Sequence, residues 1–327
     1  MHVLVTGAGG FVGRALVRRL LADEPGLTRL TLLDQQLPDA LRADSRVVPL
    51  QGHFADPALL AQALNPPPDA VFHLASVPGS RAEAEPALGL QVNLLASIEL
   101  LQRLADLPPR GKPPCVVFAS SVAVYGALPS GGSVDEDRQP QPAISYGAHK
   151  LMTELLLADL TRRGGLNGVS LRLPGIVARP ASPTGHGSAF MSDSIRRLSA
   201  GQAYDCPVSA AAQAWWMSLP CCVDNLLHAL QVLRTAPTAL GAARVVQLPV
   251  ITATMAELVA AIQTLRGESA SSAPTQSAPV RWLPDARIET LFGRLPPLHT
   301  PRARSLGFVD DGGLPHLIQQ ALIATDP

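Results

Sequence analysis

Residues 2–13, His2-Val3-Leu4-Val5-Thr6-Gly7-Ala8-Gly9-Gly10-Phe11-Val12-Gly13, open the chain with an apolar run and follow it at once with a glycine-rich turn. The run to Val5 suits a parallel strand covered on both faces. From Arg14 to Ala22 apolar residues recur at helical spacing, so the order is strand, turn, helix. Gly7 permits the tight turn, Gly10 lets the backbone come close to a pyrophosphate, and Gly13 lets the helix pack against the strand. Phe11 and Val12 lie between them, where the free amides at the start of a helix bind phosphate. The spacing Gly-x-x-Gly-x-x-Gly differs from the commoner Gly-x-Gly-x-x-Gly. The strand before it and the helix after it are nevertheless the context a dinucleotide-binding turn requires.

The next apolar run, Leu30-Thr31-Leu32-Leu33, ends at Asp34, at about the separation from the glycines where a carboxylate binds the adenosine ribose diol. Gln35 and Gln36 offer no guanidinium for a 2′-phosphate, and a carboxylate repels one, so Asp34 points to NAD in preference to NADP. An aspartate that simply ends a strand is the alternative. Strands are then expected over 46–50, 70–74, 115–119 and 168–173, and helices over 57–64, 86–106 and 145–163. This alternation predicts an α/β fold, a doubly wound parallel sheet with right-handed crossovers and helices on both faces. Ligands of such sheets bind at the carboxyl ends of the strands, where Gly7, Asp34, Ala75-Ser76, Ser120-Ser121 and Pro174 fall.

After Arg172 the pattern breaks into loops rich in Pro and Gly, with helices expected over 192–200 and 224–233 and a strand over 245–248. Residues 1–173, rejoined by 224–250, are read as the dinucleotide-binding domain. Residues 174–223 and 251–327 are read as a smaller C-terminal substrate-binding lobe. The low-complexity run from Gly267 to Pro279 reads as a surface loop.

Composition narrows the function classes. The 327 residues are 47% hydrophobic and 16% charged with a formal net charge of zero, which suits a packed globular enzyme and gives no basic cluster for nucleic acid or anionic membranes. No apolar run reaches the roughly 18 residues of a membrane span, and the strand that starts at residue 3 leaves no room for a signal peptide, so a cytoplasmic protein is expected. Cys115, Cys206, Cys221 and Cys222 show no metal-ligand or redox spacing, so no metal site is expected.

The chemistry is carried by Ser145-Tyr146-Gly147-Ala148-His149-Lys150. A Tyr and a Lys four residues apart project from one helix face. A phenol near pKa ~10 is a poor acid or base at neutral pH, and an ammonium one turn away favours its phenolate. The same spacing also occurs on ordinary amphipathic helix surfaces, so the pair gains weight from the motifs around it.

Together, Thr6-Gly7-x-x-Gly10-x-x-Gly13, Asp56, His73-Leu74-Ala75-Ser76, Asn93, Ser120-Ser121-Val122-Ala123-Val124-Tyr125-Gly126, Tyr146-x-x-x-Lys150 and Arg172-Leu173-Pro174 resemble the extended short-chain dehydrogenase/reductase superfamily, over nearly the whole chain. More narrowly, Phe118 to Gly126, Arg172 to Pro180, Ala200-Gly201-Gln202, Cys206-Pro207-Val208 and Trp215-Trp216-Met217-Ser218 resemble the NAD-dependent D-erythronate dehydrogenases. The resemblance implies a Rossmann domain with NAD as cofactor, and oxidation of the C2 hydroxyl of a small sugar acid. It also implies the roles of individual residues. Ser121 would hydrogen-bond the reacting oxygen, Tyr146 would remove the alcohol proton, and Lys150 would hold the nicotinamide ribose. Asp56, the turn Leu74-Ala75-Ser76, Asn93, Pro174 and Ile176 would belong to the cofactor site, with Asn93 tying the active-site helix to the sheet. Ser120 would point to the opposite side of its strand.

For the substrate, Arg179 is chosen as the partner of the carboxylate, with a surface arginine as the alternative. Ser80, with Arg81 and Glu83, would reach hydroxyls. His186 is a looser candidate. One of Trp215 and Trp216 would wall the pocket while the other joins the lobe core, and Trp215 is taken as the residue at the substrate. The stretch after Arg179 and Leu219-Pro220-Cys221-Cys222 depart from the family pattern, which bears on substrate identity. Sugar-nucleotide epimerases or dehydratases and uronate or aldose dehydrogenases are the rival enzymes, and an NAD-sensing scaffold is the non-enzymatic one. The superfamily further implies a homodimer, with Leu94, Leu95, Leu101, Leu155 and Leu156 available either to an interface or to the sheet.

Overall fold

The computed structural model describes residues 1–108, 111–128, 131–181, 187–267 and 280–323; His186 and the expected loop residues 268–279 lie outside them. In chain order the elements begin with β1 (His2–Thr6), α1 (Phe11–Asp23), β2 (Arg29–Asp34), β3 (Val47–Gln51), α2 (Pro57–Ala63), β4 (Ala70–His73), α3 (Gly79–Ala84), α4 (Pro86–Gly89), α5 (Ala96–Ala105) and β5 (Cys115–Ser121). They continue with β6 (Val134–Asp135), α6 (Ser145–Arg162), β7 (Asn167–Leu173), β8 (Gly175–Val177), α7 (Ala189–Ser199), β9 (Tyr204–Cys206), β10 (Gln213–Ser218), α8 (Leu219–Thr235) and β11 (Val245–Gln247). Then follow β12 (Ile251–Thr254), α9 (Met255–Leu265), β13 (Val280–Trp282), α10 (Ala286–Phe292), β14 (Leu298–His299), α11 (Pro301–Ser305) and α12 (Leu314–Ile323).

The chain forms two compact units. The first comprises Met1–Val124, Pro142–Leu173 and Val223–Gln247, and the second Tyr125–Gln141, Pro174–Cys222 and Leu248–Pro327. The first unit is built on a seven-stranded parallel sheet in the order β11-β7-β5-β4-β1-β2-β3. Every residue of β1 is buried, as a strand covered on both faces demands. The strand order reverses beside β1, between β2 and β4, which puts the Gly7 turn and the turn after β4 at the topological switch point where such sheets bind ligands. Leu16, Val17 and Leu20 form the buried face of α1, and Leu100, Leu101 and Leu104 that of α5.

One expected helix is corrected. Residues 86–106 are not a single α-helix: α4 stops at Gly89, a π-helical segment runs from Leu90 to Leu95, and α5 begins at Ala96. The wider π turn lets three successive residues, Val92, Asn93 and Leu94, all face inward, which an α-helix of 3.6 residues per turn does not favour. The apolar residues of these helices divide between uses that the sequence left open. Leu94 and Leu101 are buried, Leu156 packs partly buried against the core, and Leu95 and Leu155 are exposed at 45% and 64%.

The second unit holds a three-stranded sheet, β12-β10-β8, antiparallel on one side and parallel on the other, and the two-stranded pairs β9-β13 and β6-β14. Its core gathers Phe190, Ile195 and Leu198 of α7 with Trp216, Met255, Leu258 and Leu317. None of the described helices is long and apolar enough to cross a membrane, and among the described residues no cluster of His, Cys, Asp or Glu could hold a metal ion.

Candidate active site

The glycine turn is set by contacts the backbone makes with itself. Gly7 has φ +74°, and a Cβ there would lie 2.6 Å from the Ala75 nitrogen and 2.8 Å from the Leu74 carbonyl carbon, so the Leu74–Ala75 turn passes directly against it. A Cβ on Gly13 would lie 2.1 Å from the Gly7 carbonyl oxygen, which is the close packing of helix on turn expected from the spacing. Gly10 meets only the Gly7 oxygen at 3.2 Å and is the N-cap of α1 with no side chain capping it, leaving the Phe11 and Val12 end of the helix without a side-chain acceptor. Gly9, to which the sequence assigned no role, is as constrained as its neighbours, since a Cβ would fall 1.8 Å from the Gln36 oxygen. Asp34 accepts hydrogen bonds from the amides of Gly9 at 2.9 Å and Gln36 at 3.1 Å, which fixes its carboxylate at the edge of this turn. An uncapped helix N-terminus, glycines that admit a close backbone and a carboxylate held beside them fit the pyrophosphate and ribose of a dinucleotide.

Asp56 caps α2, accepting from Ala58 N at 2.8 Å and Leu59 N at 3.5 Å. Asn93 is 1% exposed and spends both ends of its amide on Val77: its Oδ1 accepts from the Val77 amide at 2.7 Å and its Nδ2 donates to the Val77 carbonyl at 3.0 Å. Its tie is thus to the loop that follows β4, not to a strand. A chain of bonds that sequence reasoning missed runs on from it. Ser97 Oγ donates to the Asn93 carbonyl at 3.0 Å, so it accepts from His73 Nε2 at 2.9 Å. His73 Nδ1 then accepts from Thr6 Oγ1 at 2.7 Å, and Thr6 Oγ1 accepts in turn from the Ala75 amide at 3.4 Å. His73 is fully buried; burial, and next to it the charge of Lys150, push its pKa down to about 3, so the ring is neutral with its proton on Nε2. The visible signal was His73 at the end of an otherwise apolar strand.

Ser121 ends β5, and its Oγ accepts from the Ala123 amide at 3.1 Å. Ser120 points away from it, its Oγ donating to Glu154. Tyr146 and Lys150 stand one turn apart near the start of α6, with the Lys150 Nζ 5.5 Å from the Tyr146 ring centre. Lys150 is 2% exposed; its Nζ donates to the Ala119 carbonyl at 2.8 Å and lies 4.7 Å over the Phe118 ring. Gly147 lets α6 reach the turn after β5, for a Cβ there would meet the Ala123 oxygen at 2.2 Å. The residue before α6, Ile144, has no capping side chain, and Glu83 of α3 does that work by accepting from the Ser145 amide at 2.6 Å. Ser80 stands beside Gly79, whose Cβ position is 3.6 Å from Tyr146 Cβ.

In the second unit a cavity of about 210 Å³ is lined by Ile176, Arg179, Ser192, Asp193, Arg196 and Arg197, among others. The Arg179 amide donates to Ser192 Oγ at 2.9 Å and its Nε to the Ile176 carbonyl at 3.2 Å, so β8 and α7 together orient it. Arg196 pairs with Asp193, and the Arg197 guanidinium lies 5.8 Å from the Tyr204 ring centre. Three arginines and one aspartate thus line one small space, which the sequence showed only as separate residues. The choice between the two tryptophans is also decided. Trp216 belongs to the core of this unit. Trp215 is 1% exposed, donates from Nε1 to the Pro296 carbonyl at 2.6 Å and stands edge-on to Tyr125. Its indole is taken up by these neighbours, and the residues that line the arginine cavity do not include it.

The model of the NAD dependent epimerase/dehydratase family matches residues 3–218. The chain belongs to that family. Relatives of full length include the D-erythronate dehydrogenase of Cupriavidus necator, 39% identical over 98% of this chain and 97% of that protein, and the D-erythronate dehydrogenase of Haemophilus influenzae, 31% identical over 98% of each. Among solved structures, the nucleoside-diphosphate-sugar epimerase from Agrobacterium tumefaciens superposes with a TM-score of 0.86 at 32% identity, covering 98% of this chain and 92% of that one. As a member of the epimerase/dehydratase family this protein takes NAD as its cofactor, and it is an NAD-dependent dehydrogenase.

Proposed function

We propose that the protein oxidises the C2 hydroxyl of a small sugar acid such as D-erythronate to the 2-oxo acid. The observation that carries this reading is the full-length likeness to D-erythronate dehydrogenases, joined to a buried Lys150 under Tyr146. Gly7, Gly10, Phe11, Val12, Gly13 and Asp34 would hold the pyrophosphate and adenosine ribose, with Asp56, Leu74, Ala75, Ser76, Pro174 and Ile176 around them and Asn93 fixing the loop. NAD, when bound, accepts the hydride from C2. Ser121 donates a hydrogen bond to the reacting oxygen, and the Tyr146 phenolate takes the hydroxyl proton as the carbonyl forms. Lys150, as an ammonium, favours that phenolate and binds the nicotinamide ribose. Arg179, with Arg196 and Arg197 on the same cavity, would take the carboxylate, and Ser80 a hydroxyl.

A second reading has one observation in its favour: three arginines on one cavity also suit the diphosphate of a sugar nucleotide. NADH formation with NAD, and with NADP as control, across D- and L-tetronates, aldonates, uronates and free sugars separates the two. NAD-selective turnover of D-erythronate supports the dehydrogenase. Silence across the panel, with NAD found bound to the purified protein, supports the epimerase.

We also propose a cytoplasmic homodimer. Leu95 of the π-helical segment and Met152 and Leu155 of the neighbouring α6, 45%, 44% and 64% exposed, would give an apolar face for a second copy to cover. Sedimentation of Leu155→Glu at half the mass of the wild type is the expected result.

A further inference from the structure

Behind Tyr146 and Lys150 lies a buried carboxylate that the mechanism above leaves without a task. Glu154 stands one helical turn beyond Lys150 on α6 and is 2% exposed. Its Oε1 accepts from Ser120 Oγ at 2.5 Å and from Arg172 Nε at 3.1 Å, and its Oε2 accepts from Arg172 Nη2 at 2.8 Å. Ser120 and Arg172 are register partners on the adjacent strands β5 and β7. One carboxylate therefore joins two strand ends, one of them next to Ser121, to the helix that carries Tyr146 and Lys150. A pair buried this deeply is seldom a net source of stability, because the desolvation of both ions offsets their attraction. Its position beside the reacting groups calls for a different account.

Lys150 supplies one. Burial pulls its pKa down, and Tyr146 and Glu154 pull it back up. The Ala119 carbonyl and the Phe118 face favour an ammonium without carrying charge. The charged and titratable groups that face it are Tyr146 and Glu154 from α6, His73 from β4 and, through Glu154, Arg172 from β7. His73 is neutral and Arg172 repels a cation, so beside Tyr146, the larger of the two favourable contributions, Glu154 is the one carboxylate of the set. The sequence adds a telling choice: of 26 Lys and Arg residues only Lys112 and Lys150 are lysines. An arginine would keep its charge wherever it was buried, whereas a buried lysine keeps its proton only with help.

We infer that Glu154 is a positioning residue for the catalytic pair: locked in place by Arg172 and Ser120, it holds the buried Lys150 as the ammonium that Tyr146 needs. This rests on reading Tyr146 and Lys150 as the reacting pair.

Two lysines make a direct test possible. Protein carrying lysine labelled with carbon-13 at Cε gives two signals, and Lys112→Arg identifies that of the exposed residue. Glu154→Gln removes the charge, keeps an oxygen for Ser120 and takes from Arg172 the carboxylate it pairs with. Its Lys150 midpoint falls by about one pH unit or more, a tenfold weaker hold on the proton. In the double variant Glu154→Gln/Arg172→Gln, which removes both members of the ion pair, the fall is smaller but present, because Arg172 reaches Lys150 only through Glu154. The high-pH decline of kcat moves down with the midpoint in each variant. Should the single variant not fold, the double carries the measurement. An unchanged Lys150 midpoint in a variant with wild-type circular dichroism, or a kcat profile that stays in place while the midpoint moves, overturns the inference. Since the titration needs no turnover, a wild type that oxidises no sugar acid would count against the proposed function alone.

Discussion

Two helix starts show how differently the two units are built. In the first unit α1 opens at Gly10 with no side chain on its free amides. In the second, α9 opens at Thr254 with a full capping box, Thr254 Oγ1 accepting from the Glu257 amide at 3.2 Å while Glu257 Oε2 accepts from the Thr254 amide at 2.7 Å. The uncapped start keeps its donors for a ligand; the capped start serves only the fold. The same contrast runs through the charged residues. In the first unit the buried Glu154 joins Ser120 of β5 and Arg172 of β7 to α6, and Lys150 of α6 donates to Ala119 of β5, so the buried charges are tied down by strand partners. In the second, the arginines of β8 and α7 line a cavity with a surplus of positive charge, as a site for an anion requires. The proposed function therefore draws its chemistry and its substrate choice from separate sets of residues that can be broken one at a time.

The largest effect is expected where the proton is transferred. Tyr146→Phe removes the group that takes the hydroxyl proton and lowers kcat about a thousandfold, while NAD affinity, followed by fluorescence titration, stays near the wild-type value. Turnover close to normal would remove Tyr146 from the mechanism. Next comes the stability of the first unit in acid. The His73 pKa is held at about 3 against about 6.5 in the unfolded chain, so between those values the unfolded state binds a proton that the folded state refuses. Stability is therefore lost as pH falls from about 6.5 toward 3, by an amount of order 5 kcal/mol. Denaturant titrations at several pH values check this, and His73→Gln should flatten that part of the curve; an equally steep curve in the variant would assign the loss to other groups.

A smaller and more selective change is expected in the second unit. Arg179→Gln should raise KM for the sugar acid about 10- to 100-fold, equivalent to the loss of a charge-assisted hydrogen bond, with kcat and NAD affinity little altered. If kcat falls instead and KM holds, Arg179 acts on the reacting end and the division between the units is wrong. The smallest effect belongs to the capped helix: Thr254→Ala should cost about 1 kcal/mol of stability and leave the kinetics of NADH formation untouched.

How much was legible followed the range of the interactions. The turn Gly7 to Gly13, Asp34, and the pair Tyr146 and Lys150 are governed by spacings of a few residues or by one strand and one turn, and the structure places them as those spacings require. The limits of β1, β2 and α6 follow the sequence pattern for the same reason. The helix over 86–106 misled because period alone cannot foresee that Asn93 is drawn inward to Val77 by a π turn. Glu83 was read only as able to reach a substrate hydroxyl, and its hydrogen bond to Ser145, 62 residues away, adds a long-range cap that the sequence did not show. The partners of His73, on β1 and α5, and the meeting of Arg179 with Arg196 and Arg197 are likewise products of chain crossings.

By itself, then, the sequence determined the sheet, the glycine turn and the placing of Tyr146 and Lys150 one turn apart, because each is written in local periodicity and in the few residue types that a tight turn tolerates. Only the tertiary structure decided which buried charges balance Lys150, which tryptophan enters the core and which arginines share a cavity. Those are matters of burial and of distance between segments remote in the chain, and neither quantity exists until the chain has folded.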